Sequence, residues 1–264
     1  VNFSDEVTLG TALARILNTP KPASNGIQLY GVDVVEIRRI IERLPGNGYL
    51  NPVETRKLLK AANIPVVDEF VSDNIDELRR FANEVHYPVV AKVVGPLHKS
   101  DMGGVALNIK SDKHLLLEYE RMMQLPNVTA IMIQPMLKGT ELFLGAKYED
   151  KFGHIIFCGL GGIFVEILKD VSYGLTPLSY DETFSMIHSL RGYPIIKGAR
   201  GQKGIDEQSY ADMIVRLSTL LRFANEIKEM DINPLIADAR GIFAVDARIR
   251  IEKQPLSDKD DKNE

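Results

Sequence analysis

From Val66 onward, short apolar runs alternate with stretches of helical spacing, and that alternation limits the chain to a layered mixed architecture. The spacing predicts strands over 66–71, 88–94, 105–109, 129–134, 141–148, 153–158, 228–236 and 242–247. It predicts helices over 72–85, 112–124, 181–190 and 207–224 between them. Such interleaving implies an α+β or α/β fold. No run approaches the roughly 20 apolar residues needed to span a bilayer. The 264 residues carry a net charge of −4, so no overall basic field argues for nucleic acid or an acidic membrane surface. A single cysteine, Cys158, leaves no internal disulfide framework and fits a reducing, cytoplasmic setting.

The first strand-rich stretch is preceded by helical segments. Residues 5–17 have helical spacing, 18–26 read as a linker with two prolines, and 33–43 form a second helix stopped by Pro45-Gly46-Asn47-Gly48. Asn51 then caps a third helix that opens with Pro52 and runs to about Ala62. The first residues do not read as a signal peptide, and the start at valine rather than methionine suggests a piece of a longer polypeptide. Its last residues, LSDKDDKNE, are too charged and too poor in apolar side chains to fold alone.

Three stretches could carry chemistry. The first is PVVAKVVGPLHKSDMGGV, residues 88–105, where Lys92 interrupts an apolar strand. A lysine there is costly unless its ammonium meets an acceptor or snorkels to water. The loop that follows has Gly95, Gly103 and Gly104, which let backbone amides approach an anion, so lysine and loop together suit a phosphate. Neither the G-x-x-x-x-G-K-[ST] loop nor the G-x-G-x-x-G fingerprint occurs here.

The second stretch is EMDINPLI with Asp246 following. Asp231 and Asn233 are two apart on a strand and share a face. A hairpin turn at 238–241 returns Asp246 beside Asn233. Two carboxylates and an amide oxygen suit a hard cation, magnesium above all, and a solvated sheet face is the alternative. The third comprises the strand end Gln134-Pro135-Met136, then Glu141, and the glycine cluster GLGG at 159–162, backed by Glu166. Each of these is as well explained by an exposed acid or a plain turn.

Taken in order, these stretches resemble the ATP-grasp fold: two α/β lobes holding a nucleotide between them, here preceded by helical linker segments. More narrowly, they resemble the nucleotide-binding part of the ADP-forming acyl-CoA synthetases, with succinyl-CoA synthetase as a more distant relative. The resemblance implies roles residue by residue. Lys92 would contact the nucleotide phosphates, and Gly103 and Gly104 would close over them. Gln134, Pro135 and Met136 would form the hinge at the adenine, with Gln134 standing where an acid is common. Glu141 would hold the ribose. Asn233 and Asp246, with Asp231, would hold Mg2+. His98 would be catalytic, shuttling a phosphoryl group between ATP or ADP and a histidine on the CoA-ligase portion, which is either fused or a separate α subunit.

The implied division is a tail of the CoA-ligase portion at 1–20, a linker with helix at 21–48, an N-terminal lobe at 49–132, a C-terminal lobe at 133–252, and a disordered tail at 253–264. The implied function is phosphoryl transfer that couples acyl-CoA cleavage to ATP formation, or the reverse. Two other readings fit a chain of this kind: a catalytically silent regulatory domain of a fused lysine acetyltransferase, and a plain nucleotide-binding module. Homo- or hetero-oligomers fit all three.

Overall fold

The computed structural model describes residues 5–17, 29, 31–95, 102–199, 201 and 203–253. The loop residue His98, the linker at 18–26 and the C-terminal tail beyond 253 lie outside them. None of the described helices is long and apolar enough to cross a membrane.

The smaller lobe is a four-stranded antiparallel sheet under two helices. Its strands are β2 (Phe70–Ser72), β3 (Val89–Val94), β4 (Val105–Ile109) and β5 (Ala130–Pro135), in the order β2-β5-β3-β4. Helices α4 (Ile75–Val85) and α5 (Asp112–Met123) cover one face. Asn74 caps α4 and Ser111 caps α5, each accepting a backbone N–H of the first turn. Leu78 and Ala82 of α4 and Leu115 and Met122 of α5 pack on Val89, Ala91, Val93, Ile131 and Ile133. Those strand residues alternate along β3 and β5, so one face is buried under helices and the other looks away from them.

The larger lobe is built on a seven-stranded sheet. Its strands are β1 (Gly48–Tyr49), β6 (Thr140–Glu149), β7 (Gly153–Leu160), β8 (Val171–Leu175), β9 (Ile227–Asp238), β10 (Gly241–Ala244) and β11 (Ala247–Ile251). The order is β1-β11-β9-β6-β7-β8, with β10 also paired to β9. Helices α6 (Ile163–Glu166), α7 (Tyr180–His188), α8 (Tyr193–Lys197) and α9 (Glu207–Phe223) belong to this lobe. Ten residues of α9 are buried, and it is the central core helix.

The helices before the first lobe are more than connectors. Helices α2 (Val34–Arg43) and α3 (Pro52–Ala61) pack Ile37, Ile40, Ile41, Leu58 and Leu59 into the core of the large sheet. Strand β1 pairs with β11. Residues 49–64, expected in the N-terminal lobe, therefore share their core with the C-terminal one. Sequence spacing cannot reveal this, because an amphipathic helix does not state which sheet its apolar stripe will meet. Helix α1 (Glu6–Leu17) keeps Val7, Ile16 and Leu17 exposed.

Most elements lie where the spacing predicts. Two differences matter for the site. The strand expected from Val66 begins at Phe70, leaving Val66 as a single bridge to Ala244. The strand expected over 242–247 is two strands, β10 and β11, broken at Val245-Asp246.

Candidate nucleotide-binding cleft

Lys92 sits on the face of β3 that the helices leave uncovered. It is in register with Met132, and Val90 is in register with Gln134, so Lys92, Met132 and Gln134 share that face. Lys92 is 6% exposed, which removes the snorkelling explanation. Its Nζ donates to the Val245 carbonyl of the large lobe at 2.9 Å. Gln134 is 1% exposed, and its Nε2 donates to the same carbonyl at 3.1 Å and to Glu69 Oε2 at 2.9 Å. The Val245 oxygen thus gathers two side chains from the small lobe and ties the lobes together across the cleft.

Glu69 and Arg56 are members of this cluster that the sequence reading missed. Arg56 Nη1 donates to the Glu69 carbonyl at 3.1 Å and lies 4.0 Å from its carboxylate. Burial pushes the Glu69 carboxyl above its ordinary range, against the pull of the Gln134 hydrogen bond and of the Arg56 and Lys92 charges. The only trace in the sequence is an acid within the run VVDEFV, where an exposed strand position explains it equally well.

The large-lobe side is built where β9 changes partner. Its first half pairs with β11 and its second half with β10. Between them, Asn233 N donates to Asp246 O and Val245 N donates to Pro234 O, both at 3.1 Å. Pro234 has no N–H to offer β6, and Asn233 and Pro234 together oppose Phe143, a local bulge. The break aims Val245 and Asp246 at the small lobe.

Asp231 lies across from Arg248. Its Oδ1 is shielded and has no hydrogen-bond partner among the described residues. Burial raises its pKa; Arg248 opposes this, while Asp246 and Glu229 add to it. An orphaned carboxylate oxygen, a neighbouring acid and an amide suit a hard cation. The described residues hold no ready cluster of three or more acidic, His or Cys ligands. A cation there would draw oxygens from a bound ligand as well.

The segment joining the lobes, where the hinge is expected, spans 136–139 between β5 and β6. Met136 N donates to Pro88 O at 3.0 Å, which holds the hinge against the start of β3. Glu141 is exposed near the start of β6, and its carbonyl accepts from Gly161 N at 2.8 Å. Gly162 has φ +57°, and a Cβ there would lie 2.5 Å from Glu141 Oε2. The GLGG turn therefore packs against Glu141. On the other side of the cleft, Gly104 O accepts from Val93 N at 2.9 Å, and Gly103 O accepts from Arg121 Nη1 at 2.9 Å. A cavity of about 310 Å³ opens between the lobes, lined among others by Arg56, Glu69, Gln134, Asp246 and Arg248.

A buried lysine on one sheet, donating across the cleft to the backbone beside Asp246 on the other, is the arrangement expected of a grasp. Residues 43–251 match the family model described as an ATP-grasp domain. The chain belongs to the ATP-grasp family. This ATP-grasp domain is 40% identical over 227 residues to the β subunit of acetate–CoA ligase [ADP-forming] I of Pyrococcus furiosus, covering 82% of this chain and 98% of that protein. It is 36% identical over 228 residues to acetate–CoA ligase [ADP-forming] I of Archaeoglobus fulgidus, covering 83% of this chain and 33% of that longer protein. The fold matches a solved structure from Pyrococcus horikoshii with TM-score 0.76 at 36% identity, covering 83% of this chain and 99% of that one. It also matches the dinucleotide-forming acetyl-coenzyme A synthetase 1 of Ca. Korarchaeum cryptofilum, solved with coenzyme A and Ca-AMPCP, with TM-score 0.74 at 34% identity; 78% of this chain and 94% of that one are covered. These relatives place the ATP-grasp domain in the ADP-forming acyl-CoA synthetase branch.

Proposed function

We propose that this chain binds ATP or ADP in the cleft and passes a phosphoryl group between the nucleotide and a histidine, as the ATP-grasp part of an ADP-forming acyl-CoA synthetase. The observation that carries the reading is Lys92: a lysine buried in a strand, donating across the cleft to the backbone beside Asp246. A phosphate oxygen would compete with the Val245 carbonyl for the same ammonium. Lys92 then neutralises phosphate charge, and Gly103 and Gly104 let amides approach the same oxygens. Gln134, Pro135 and Met136 border the base, and Glu141 accepts from a ribose hydroxyl. Asn233, Asp246 and Asp231 offer oxygens for a magnesium ion. Such an ion would offset negative charge on the phosphates as the transition state forms.

His98 is the proposed acceptor. In the forward step a ring nitrogen of His98 attacks the γ-phosphorus, the bond from phosphorus to the bridging oxygen breaks, and ADP leaves with the electron pair. The phosphohistidine would then pass its group to a histidine on a CoA-ligase portion, supplied by a partner subunit or by a fused chain. The named relatives are ligases, which favours this over the regulatory and plain-binding readings.

The test is intact mass after incubation with Mg-ATP, for the chain and for His98→Ala. An acid-labile gain of one phosphoryl group, absent in the variant, supports the reading. A gain that persists in His98→Ala overturns the role of His98. No nucleotide binding by calorimetry overturns the reading itself.

A further inference from the structure

The neighbours of Gln134 fix which way its amide points. Its Nε2 lies between two acceptors, Glu69 Oε2 at 2.9 Å and the Val245 carbonyl at 3.1 Å. Turning the amide over would set Oε1 against a carboxylate and a carbonyl with no proton between them. Both amide hydrogens are therefore committed, and Oε1 faces elsewhere. That oxygen is shielded from solvent and has no hydrogen-bond partner among the described residues. A buried acceptor left without a donor is an unfavourable state that calls for an explanation, and a ligand able to donate provides one. Gln134 lines the cavity between the lobes, one residue before the end of β5. Glu69 is itself steadied, since its carbonyl accepts from Arg56 and its carboxylate lies 4.0 Å from the same guanidinium.

We propose that Glu69 is a positioning residue: it locks the Gln134 amide with Oε1 toward the base, so that the cleft selects a purine with a 6-amino group over a 6-oxopurine. This rests on the nucleotide reading of the cleft given above. Adenine presents a donor at its 6-position. Hypoxanthine and guanine present an oxygen there, which would meet the locked Oε1 as a second acceptor. Changing Glu69 to Gln keeps the shape, removes one of the two acceptors that hold the amide, and offers an NH2 to Oε1 in the turned-over state. The Val245 carbonyl alone then opposes the turn, so the two orientations of the Gln134 amide come closer in energy.

Calorimetric titration of the whole chain with Mg-ADP and Mg-IDP, which differ in the base at the 6-position, tests this. The wild type binds ADP about tenfold or more tightly than IDP. In Glu69→Gln, and independently in Gln134→Leu, the ratio falls to within about threefold. Circular dichroism checks each variant's fold, and Gln134→Leu keeps the test open if Glu69→Gln fails to fold. A merely structural role for Glu69 would weaken both nucleotides alike and leave the ratio unchanged; that result, or a wild type without preference, overturns the proposal. Lys92→Ala separates the two levels. If it binds ADP as tightly as the wild type, the nucleotide reading falls and the selectivity proposal with it. If it binds weakly while the ratio survives in Glu69→Gln, the selectivity proposal alone falls.

Discussion

Single side chains in this cleft are held in states that water would not choose. Lys92 is buried with a carbonyl oxygen beside its ammonium, and Asp231 is half-buried with one oxygen unpartnered. Replacing Lys92 with Met keeps the stem packing and removes the charge. It should reduce Mg-ADP affinity about a hundredfold by calorimetry, the scale of a lost charge-assisted contact, while leaving thermal stability near that of the wild type. Asp231 supplies a pH test. Its raised carboxyl pKa means that the folded chain keeps a proton the unfolded chain loses as pH rises past the ordinary value of 3.8. Stability from this site therefore falls as pH climbs from about 4 through the raised folded-state pKa, and stays lower above it. Asp231→Asn should raise Tm at pH 7–8, by about 2–4 °C per kcal/mol gained, and the gain should shrink toward pH 4 in parallel melts.

At the scale of elements, the cleft depends on the ends of strands. Gly95 closes β3 with φ +121°, and a Cβ there would lie 2.2 Å from Asn127 O, a backbone atom that cannot swing away. Gly95→Ala should cost about 2 kcal/mol or more, read as a lower urea midpoint at unchanged slope. Helix starts are secured by ordinary caps. Asn51 accepts from Glu54 N at 2.9 Å, so Asn51→Ala should cost about 1 kcal/mol in the same assay. The Asn51 cap was legible in the sequence, because the residue type and its offset from Pro52 and Glu54 carry the signal; the start of α4, expected at 72, lies at Ile75 behind Asn74. The β10–β11 break was not. The run AVDARI has strand-like residues throughout, and what divides it is the partner change opposite Asn233-Pro234.

For the whole molecule, two separate cores imply two cooperative units. One lies under the small sheet; the other runs from α2 and α3 through the large sheet to α9. The bonds from Lys92 and Gln134 to Val245 join them across the cleft. Native-state hydrogen exchange should show the small lobe opening at lower free energy than the large one. If Mg-ADP binds between the lobes as proposed, saturating it should raise protection in both together, by about 2.7 kcal/mol at a ligand concentration of 100 Kd.

The sequence by itself determined the mixed fold class, the Asn51 cap, and the approximate placing of Lys92, Asn233 and Asp246, because period, cap chemistry and hairpin spacing are local properties. It also carried the family resemblance, which follows the order of those local motifs along the chain. Only the tertiary structure decided that 49–64 shares the core of the large lobe, that Val245 is the acceptor joining two lobes, and that Glu69 and Arg56 stand in the cleft. Those facts depend on residues from separate stretches meeting in space, as far apart as Lys92 and Val245. Apolar burial drives that meeting without direction, so its partners cannot be read from any one stretch.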